Sequence, residues 1–558
     1  MKIALCQINP TIGDICGNIR LISTGILRAK EAGAQLAVFP EMSLCGYPPR
    51  DLLMKPDFLD ACEKAVQELA DNLPAGMAAV VGLPVRNGAH AGKPLFNSLA
   101  VLEDGRVTHW VHKRLLPTYD VFDEYRWFEP GPMQEPVTLF GHRVGLTICE
   151  DMWNDAEVFP RPIYHANPVA ELVAEGAEFI INASASPFTL GKPDFRRKLL
   201  GALAKKHQVP IFYCNQVGGN DDLVFDGRSF AVDAQGDLLR EAKAFQEDLL
   251  LVDAHETPAR HLELDDAREN MRDLFDALVL GLRDYMVKCG FKQVVLGLSG
   301  GIDSALCAAL SVAALGAENV RGMAMPSRFS SDHSICDTRE LAHRLGIAFD
   351  IIPIEPAHAG MEDMLTRVFA GRAPDLTEEN IQARLRGVIL MAMSNKFGSM
   401  LVTTGNKSEL AVGYCTLYGD MCGGLALISD VPKTLVWDLS RWINDSPDSP
   451  LRQSHGGPVI PANSIDKVPS AELRPNQTDQ DSLPPYADLD AIVERYVERD
   501  QPVEQIVAET QLDEAVVRRI VRLIDLAEYK RRQAAPGIKV TGRAFGSGRR
   551  MPIAQRFR

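Results

Sequence analysis

The sequence between residues 293 and 315 reads QVVLGLSGGIDSALCAALSVAAL. Its first six residues form an apolar run typical of a buried strand, and the residues from Ile302 onward have the composition of a helix. Between them lies the turn 299–304, SGGIDS. A strand that passes through a glycine turn into a helix is the basic unit of a doubly wound parallel sheet. This stretch therefore predicts an α/β domain in the second half of the chain.

The residues of this turn also predict a ligand. Gly300 and Gly301 let the backbone approach an anion closely, and the amides at the start of the helix point toward it. Ser299 and Ser304 add hydroxyl donors, whereas Asp303 would repel a phosphate unless a cation lay between them. The combination favours pyrophosphate bound with Mg²⁺. The alternative is an ordinary strand–turn–helix connection, and a Walker A loop is excluded because no Gly-Lys-Ser/Thr follows.

The first half of the chain alternates apolar, strand-like runs with helical patterns at 18–32 and 58–72, which indicates a layered α/β domain. Residues 255–266 are polar and charged without a period. We therefore predict a first domain at 1–255, a linker at 256–266 and a second domain at 267–558. The predicted strands are 2–7, 35–40, 78–84, 96–102, 143–149, 178–184, 210–216, 229–239 and 249–254, then 293–298, 320–326, 349–354 and 400–405.

Residues 444–485 are dense in Pro, Ser, Asp and Asn with little periodicity. An irregular stretch of that length is either disordered or a lid over a functional site. Helices are predicted at 268–289, 488–499 and 513–528. The tail 530–558 is basic and holds no Asp or Glu. It is either a solvated end or a docked segment, and its apolar residues favour docking; these are Phe545, Met551, Ile553 and Phe557.

Composition narrows the class of protein. The chain has 558 residues, and 59 Lys and Arg against 74 Asp and Glu give a net charge of −15. That balance does not favour broad binding to nucleic acid or anionic membranes. Eleven cysteines make no disulfide framework and favour a reducing compartment. The N-terminus turns polar too early for a signal peptide, and no run approaches the ~20 apolar residues of a membrane span. We expect a cytoplasmic protein without nucleic-acid or membrane partners.

Further motifs follow the glycine turn in a fixed order. They are MPSR (325–328), NIQAR (380–384), TGNKSE (404–409), YGD (418–420), DVPKT (430–434) and PSAEL (469–473). The turn resembles the PP-loop of ATP pyrophosphatases, and the series resembles the synthetase domain of the NAD⁺ synthetase family across residues 265–558. That family adenylates the nicotinate carboxylate of deamido-NAD (nicotinate adenine dinucleotide) with ATP, and ammonia then displaces AMP.

The resemblance implies a set of roles in the second domain. Asp303 and Glu409, both hard oxygen donors, would hold Mg²⁺, and Lys433 and Ser470 would stabilise phosphate charge. Taken singly, Asn380 is equally well explained as a helix cap and Asp420 as a turn residue. The implied ATP-binding residues are Gly297, Leu298, Ser299, Gly300, Gly301, Ile302, Asp303, Ser304 and Thr404. The implied deamido-NAD residues are Asn380, Arg384, Glu409 and Lys530.

An ATP-dependent amidation needs a nitrogen donor, and the first half offers a candidate cysteine. Glu41, Lys113 and Cys149 each follow an apolar strand, so one sheet edge could bring them together. A carboxylate can accept the thiol proton, and an ammonium can lower the thiol pKa and stabilise an oxyanion. A Cys–His pair is not indicated, because no histidine stands out beside Cys149.

This trio resembles the nitrilase (carbon–nitrogen hydrolase) superfamily over residues 1–255, which implies an α-β-β-α sandwich. The resemblance makes Glu41 the general base, Lys113 the stabilising cation, Cys149 the nucleophile and Glu124 an additional acidic residue. The glutamine pocket would be lined by Tyr119, Ser186 and Lys192. A buried structural thiol is the alternative for Cys149. We assign that structural role to Cys6, Cys45 and Cys214.

Together the two resemblances imply a glutamine-hydrolysing enzyme of the NAD⁺ synthetase family with L-glutamine, ATP and deamido-NAD as substrates. We also expect a homo-oligomer and a shielded path for ammonia, because ammonium in water has no lone pair to react. Two alternatives stay open. One is another PP-loop amidotransferase that makes GMP or asparagine, and the other is a non-catalytic protein that senses nucleotides or nitrogen.

Overall fold

The computed structural model describes residues 1–155, 161–256 and 266–557, without the side chains of 266–269. The chain divides into two compact units, Met1–Asp265 and Asp266–Arg558. Residues 257–265 of the predicted linker lie outside the part of the chain that the structure describes. None of the helices in the described ranges has the length and apolar character needed to cross a bilayer.

The first unit is built from mixed sheets and flanking helices. Its strands are β1 (Lys2–Gln7), β2 (Leu36–Val38), β3 (Ala78–Arg86), β4 (Leu95–Glu103), β5 (Arg106–His112), β6 (Val137–Leu139), β7 (His142–Ile148), β8 (Phe179–Ser184), β9 (Ile211–Asn215), β10 (Val217–Asn220), β11 (Leu223–Asp226), β12 (Phe230–Val232), β13 (Leu238–Glu241) and β14 (Asp248–Asp253). Its helices are α1 (Ile15–Glu31), α2 (Pro56–Asp71), α3 (Pro168–Ala174) and α4 (Lys192–His207).

Two six-stranded sheets pack face to face in this unit, in the orders β14-β1-β2-β3-β4-β5 and β13-β12-β9-β8-β7-β6. Each has three parallel strands at its centre and antiparallel strands at its edges. One apolar core lies between the sheets and draws Val38 and Val80 from the first sheet, and Ile148 and Ile181 from the second. Further cores under α1 and α2, and under α3 and α4, cover the outer faces. The predicted α-β-β-α sandwich is confirmed.

The second unit is built around a single parallel sheet. Its strands are β15 (Val294–Gly297), β16 (Val320–Ala324), β17 (Ala348–Ile351), β18 (Met400–Thr403) and β19 (Leu425–Ala426). Its helices are α5 (Asp266–Lys288), α6 (Ile302–Leu315), α7 (Asp332–Leu345), α8 (Glu355–Leu365), α9 (Leu376–Phe397), α10 (Lys407–Val412), α11 (Lys433–Asp445), α12 (Pro450–His455), α13 (Ala462–Asp466), α14 (Tyr486–Val493), α15 (Val503–Thr510), α16 (Glu514–Leu526) and α17 (Glu528–Arg531).

The strand order of this sheet is β17-β16-β15-β18-β19, with all neighbouring strands parallel. The order reverses between β15 and β18, which makes their carboxyl ends the place where open parallel sheets bind ligands. The predicted doubly wound fold is confirmed. Its glycine turn lies at that reversal, because β15 ends at Gly297 and α6 begins at Ile302.

Three regions differ from the sequence predictions. The run 229–239, predicted as one strand, holds β12 and the start of β13 with a turn between them. Residues 444–485, predicted to be irregular, include the short helices α12 and α13. The Asn444 side chain fastens the segment by accepting the N–H groups of Val459 and Ile460, each at 3.0 Å. Disorder is therefore the wrong alternative, and a lid function stays a prediction. Helix α15 was missed because Ile506 is its one buried residue, too few for a visible period.

The basic tail docks over part of its length. Val540 and Thr541 each donate a backbone N–H to Asp430 at 2.8 Å, and Phe545 packs against the apolar core that includes Ile520 and Ile524 of α16. Beyond these contacts, Ile553 and Phe557 are 54% and 95% exposed. The expectation of docking therefore holds for Phe545 and fails for these two residues.

Candidate functional site

Polar residues from both sheets of the first unit meet at one edge. Strand β5 points in the same direction as β2, because β3, β4 and β5 alternate in direction. Glu41 after β2 and Lys113 after β5 therefore lie at one edge, and Cys149 follows β7 of the other sheet. Ala185, just after β8, donates its backbone N–H to Glu41 Oε2 at 3.0 Å. This bond shows that the two sheet edges adjoin.

Lys113 lies between two buried carboxylates. Its Nζ donates to Oε1 of Glu41 and to Oε1 of Glu124, both at 2.7 Å. Asn97 Nδ2 donates to the same oxygen of Glu41 at 2.7 Å, and the Tyr47 hydroxyl donates to Glu124 Oε1 at 2.8 Å. Burial alone would lower the pKa of Lys113, but the two carboxylates raise it well above its usual value. The residue is therefore a fixed cation.

Cys149 occupies a strained turn beside this cluster. It begins the 3₁₀ turn Cys149–Met152 with φ 41°, in the left-handed region that non-glycine residues seldom adopt. Asn182 Nδ2 donates to the Cys149 carbonyl at 3.4 Å. Burial raises the pKa of the thiol well above its usual value, the Glu41 carboxylate raises it further, and Lys113 lowers it. Forming a thiolate here requires a base and a cation, and the site provides both.

The residue after Cys149 carries a further carboxylate. The Tyr119 hydroxyl lies 3.0 Å from both oxygens of Glu150, and the Tyr164 hydroxyl donates to Glu150 Oε1 at 3.0 Å. Burial raises the pKa of Glu150 to about 7, although Lys113 and the two hydroxyls oppose the shift. Glu150 therefore titrates near neutral pH beside the thiol.

The other residues predicted to bind glutamine occupy two places. Ser186 is buried after β8, and its backbone N–H donates to Asn215 Oδ1 at 2.9 Å. Lys192 begins α4, with its Nζ 5.5 Å from the centre of the Trp153 ring. Trp153 directly follows the 3₁₀ turn that begins at Cys149. Lys192 therefore lies near the segment of Cys149, which it contacts through Trp153.

In the second unit, the glycine turn is stabilised by its own serines. The Gly301 N–H donates to Ser299 Oγ and the Ser299 N–H donates to Ser304 Oγ, both at 3.2 Å. Gly300 has φ 80°, and a Cβ built on it would lie 2.6 Å from the Ser334 carbonyl oxygen. Glycine is therefore required at 300 both by conformation and by the close approach of α7.

The remaining predicted ATP residues surround the end of β15. Gly297 is its last residue, and the N–H of Leu298 donates to the Met323 carbonyl of β16 at 2.8 Å. Ile302 is the first residue of α6 and is buried. Thr404 directly follows β18, the strand that pairs with β15 on the other side. The sheet thus brings all of them to the same edge.

Asp303, Glu409 and Lys433 form one charged cluster at this edge. Lys433 Nζ donates to Asp303 Oδ2 and lies 3.9 Å from Glu409 Oε1. Asn406 Nδ2 donates to the other oxygen of Asp303 at 2.9 Å, and Asn406 Oδ1 accepts the Glu409 N–H at 3.0 Å as the cap of α10. Burial and the Asp303 charge raise the pKa of Glu409 to about 8. The cluster gathers two carboxylates that would gain from a further cation.

The donor set fits Mg²⁺ that arrives with a nucleotide. Among the described residues, no group of three or more His, Cys, Asp and Glu is arranged to hold a metal ion by itself. Mg²⁺ is usually bound by one or two carboxylates together with substrate phosphates and water. Asp303 and Glu409 supply that number, next to a turn whose amides suit phosphate.

Three of the residues predicted to bind deamido-NAD converge on the segment 413–417. Asn380 Oδ1 accepts the Thr416 hydroxyl at 2.8 Å, and Arg384 Nε donates to the Leu417 carbonyl at 3.2 Å. Lys530 Nζ donates to the carbonyl groups of Gly413 and Cys415, at 2.7 and 2.6 Å. Asn380 is not a helix cap, because Asp375 caps α9.

Asp420 and Ser470 make local contacts. Asp420 Oδ1 accepts the Thr416 N–H at 2.7 Å, which is the turn role considered for it. Ser470 is exposed, and its hydroxyl donates to the Gln477 carbonyl at 2.6 Å. The structure thus places Ser470 on a surface turn, and its predicted contact with phosphate stays a prediction.

Sequence reasoning missed several polar partners of the two sites. Asn97 and Tyr47 contact the carboxylates around Lys113, and Asn406 contacts Asp303. Asn97 and Ser98 are the two polar residues of the run LFNSLAVL at 95–102, and polar residues inside an apolar strand are a usable signal. Asn406 lies inside the TGNKSE motif. Tyr47 carries no such signal, because a tyrosine before Pro48 is typical of many turns.

The comparisons with known proteins match this arrangement. The carbon-nitrogen hydrolase family matches residues 2–257, and the NAD synthase family matches residues 274–534. A solved glutamine-dependent NAD⁺ synthetase from Acinetobacter baumannii, in complex with ADP, superposes with a TM-score of 0.75 at 39% identity, over 99% of this chain and 98% of that one. Cys6, Cys45 and Cys214 are buried in the first unit, as expected for core residues.

Curated relatives match over their whole length. The "Glutamine-dependent NAD(+) synthetase" of Synechocystis sp. is 48% identical, and that of Rhodobacter capsulatus is 46% identical. Each alignment covers 100% of this chain and 99% of the relative. The expected enzyme class is confirmed by this identity and coverage, and the chain belongs to the glutamine-dependent NAD⁺ synthetase family.

Proposed function

We propose that the first unit releases ammonia from L-glutamine and that the second unit uses ATP and this ammonia to convert deamido-NAD to NAD⁺. The observation that carries the proposal is the buried Lys113, held between Glu41 and Glu124 beside Cys149. It occurs in a chain whose second unit carries SGGIDS (299–304) directly after its central strand β15. Neither feature alone would specify both half-reactions.

In the first half-reaction, Glu41 accepts the proton of the Cys149 thiol and the thiolate attacks the side-chain amide carbon of glutamine. The oxyanion that forms is stabilised by the Lys113 ammonium. The carbon–nitrogen bond then breaks, Glu41 returns the proton to the leaving nitrogen, and ammonia departs from a thioester on Cys149. Water, deprotonated by Glu41, attacks the thioester and releases glutamate.

Glu124 has a positioning role in this proposal. It shares the Lys113 ammonium with Glu41 and is itself held by Tyr47. Burial raises the pKa of Glu124 while Lys113 opposes the shift. Glu124 therefore helps to hold the Lys113 ammonium in a fixed position beside Glu41. Tyr119, Ser186 and Lys192 would bind the glutamine, with the last supplying positive charge for its α-carboxylate.

In the second half-reaction, ATP binds at the glycine turn 299–304 with its pyrophosphate portion over the N-terminus of α6. Mg²⁺ held by Asp303 and Glu409 would neutralise phosphate charge there. Lys433 stabilises charge on the phosphates as pyrophosphate leaves. The nicotinate carboxylate attacks the α-phosphorus to give an acyl adenylate, and ammonia then displaces AMP. Asn380, Arg384 and Lys530 would hold deamido-NAD, and Ser470 would contact a phosphate.

The direct test supplies the full chain with ATP, deamido-NAD, MgCl₂ and either glutamine or ammonium chloride, and measures AMP, NAD⁺ and glutamate. We expect NAD⁺ and AMP in equal amounts from both nitrogen sources, and glutamate from glutamine alone. XMP and aspartate serve as competing acceptors. Their amidation without turnover of deamido-NAD would favour the GMP- or asparagine-forming alternative, and no ATP cleavage with any acceptor would favour a sensing protein.

Transfer of ammonia between the half-reactions is part of the proposal, as is assembly into a homo-oligomer. Glutamine labelled with ¹⁵N in its amide should deliver the label to NAD⁺ in the presence of excess unlabelled ammonium. Full dilution of the label would contradict shielded transfer. Light scattering at working concentration tests the oligomer, and a monomeric mass with full activity would contradict it.

A further inference from the structure

Asp151, two residues after the nucleophile, joins the two segments that carry the charged groups of the first unit. It is 4% exposed and lies in the 3₁₀ turn Cys149–Met152. Its carboxylate accepts three backbone N–H groups. Oδ2 accepts that of Ile148 at 3.0 Å, and Oδ1 accepts those of Arg114 and Leu115 at 3.0 and 2.9 Å.

The bond from Ile148 holds the residue that immediately precedes Cys149. Because Cys149 has a positive φ, its conformation persists only if the surrounding contacts impose it. Asp151 imposes it from the N-terminal side, and Asn182 holds the Cys149 carbonyl on the other side. The direction of the Cys149 side chain is thus fixed by one carboxylate and one amide.

The bonds from Arg114 and Leu115 hold the residues that immediately follow Lys113. The backbone of Lys113 itself is fixed by two further bonds, from its N–H to the Asn97 carbonyl and from the Gly131 N–H to its own carbonyl, each at 2.8 Å. These two bonds stay on the side of the first sheet. Among the described contacts of this segment, the Asp151 carboxylate links it to the turn of Cys149, which belongs to the second sheet.

We propose that Asp151 is a positioning residue that sets the distance and direction between the Lys113 ammonium and the Cys149 sulfur during glutamine hydrolysis. The inference rests on the roles proposed above for those two residues. Asp151 does not touch the reacting atoms, and its effect passes through the backbone. A carboxylate suits the task because it offers two acceptor oxygens to three donors, whereas an asparagine offers one oxygen and must turn its NH₂ toward an N–H group.

The test compares Asp151→Asn with Asp155→Asn in the full-length chain. Asp155 is a matched control, because it is 1% exposed on the same segment but pairs with Lys206 at 2.9 Å. For Asp151→Asn we expect kcat for glutamine hydrolysis to fall by about 10- to 100-fold, because small displacements of reacting groups have effects of that size. We expect KM for glutamine to change less than about threefold, and ammonia-driven synthesis to be unchanged. Asp155→Asn should retain wild-type kcat.

A second measurement separates positioning from a general loss of the pocket. Glutamine binding is measured by calorimetry in Cys149→Ala and in Cys149→Ala combined with Asp151→Asn. Equal dissociation constants support positioning. A weaker dissociation constant that accounts for the whole kinetic loss overturns it, as does an unchanged kcat in Asp151→Asn or an equal loss in Asp155→Asn.

The wild-type protein gives a test that does not depend on a folded variant. The amide hydrogens of Arg114, Leu115 and Ile148 should exchange slowly and as one group, and rapid exchange of the first two in the folded protein overturns the inference. The proposed function fails by a different result: Cys149→Ala or Lys113→Met would keep glutaminase activity. Loss of activity in those variants with wild-type kcat in Asp151→Asn would remove this inference alone.

Discussion

The candidate site of each unit holds a lysine between two acidic side chains, and the two clusters differ in exposure. The side chains of Lys113, Glu41 and Glu124 are 0%, 0% and 4% exposed. In the second unit, the Lys433 side chain is 2% exposed, but those of Asp303 and Glu409 are 17% and 19% exposed. The first cluster is thus sealed in the protein, whereas the carboxylates of the second stay accessible.

The difference reflects what each substrate brings. Glutamine carries little charge near its amide, so the cation that stabilises the oxyanion must already be in place, and a buried ammonium provides it without reorganisation. ATP brings negative phosphates, and in the proposed reaction Mg²⁺ as well, so carboxylates that stay accessible can take part in its binding. We therefore expect the first cluster to affect stability and catalysis together, and the second to affect mainly catalysis.

The largest effect should come from Cys149→Ala. Glutamine-driven synthesis of NAD⁺ should fall by about 10³-fold or more, because the nucleophile has no substitute. Ammonia-driven synthesis should keep its rate, since that substrate bypasses the first unit. Measuring NAD⁺ formation from both nitrogen sources checks the division. Equal loss in both assays by a folded protein would contradict two separate sites.

In Asp303→Ala, the rate of NAD⁺ synthesis from either nitrogen source should fall by about 10²-fold or more. The reason is that the Mg²⁺ that Asp303 is proposed to hold would no longer balance the negative charge of the nucleotide phosphates at the turn. Hydrolysis of glutamine should persist at least in part. The dependence of the residual rate on MgCl₂ concentration is the sharper measurement, and it should move to higher concentration. An unchanged dependence on Mg²⁺ would contradict the assignment of Asp303 as a ligand.

Lys113→Met and Lys433→Met test the contrast in stability. Removing Lys113 leaves two buried carboxylates without a cation, which costs about 3–5 kcal/mol when one partner of a buried pair is deleted. Removing Lys433 should destabilise the protein by less, because water reaches its partners. Urea unfolding, monitored by hydrogen exchange in each unit, measures the change in the free energy of unfolding for both variants. Equal losses in the free energy of unfolding would show that the difference in exposure between the clusters does not affect stability.

Gly300→Ala should destabilise the second unit by about 1–3 kcal/mol and weaken ATP binding, since the added Cβ meets the Ser334 carbonyl at 2.6 Å in a backbone with φ 80°. Gly290→Ala is the control, because Gly290 has φ 79° and no atom within 4 Å of its Cβ position. Gly290→Ala should show the loss of stability that the backbone conformation causes by itself. Equal effects in the two variants would contradict the close approach at Gly300.

The smallest effect concerns Glu150. Burial raises its pKa from 4.5 to about 7, so the folded state favours the protonated form. Its contribution to stability is present below pH 4.5 and is lost as the pH rises to about 7, by about 3 kcal/mol at most. Hydrogen exchange of the turn after β7 should report this slope in the ligand-free protein. The slope should be absent in Glu150→Gln, and its persistence there would assign the titration to another group.

Much of the fold and of both sites could be predicted from sequence, for a local reason. Cys149 directly follows β7, Glu41 lies in the loop after β2, and Asp303 lies at the start of α6 after β15. Strand ends gather at sheet edges, so these positions could be expected to lie at the edges of the sheets. Asn97 and Asp151 could not be assigned in this way, because their partners lie 56 and 37 or 36 residues away along the chain. The proposed roles of the site residues still await the experiments above.

The packing of the two sheets of the first unit has a consequence for evolution and engineering. Glu41 and Lys113 belong to one layer and Cys149 to the other, so the apolar side chains between the layers set the distance between these groups. A volume-conserving exchange at Ile148 or Val38 could preserve the melting temperature while shifting one layer against the other. We therefore expect the rate of glutamine hydrolysis to respond to changes in this packing that leave the unfolding curve unchanged.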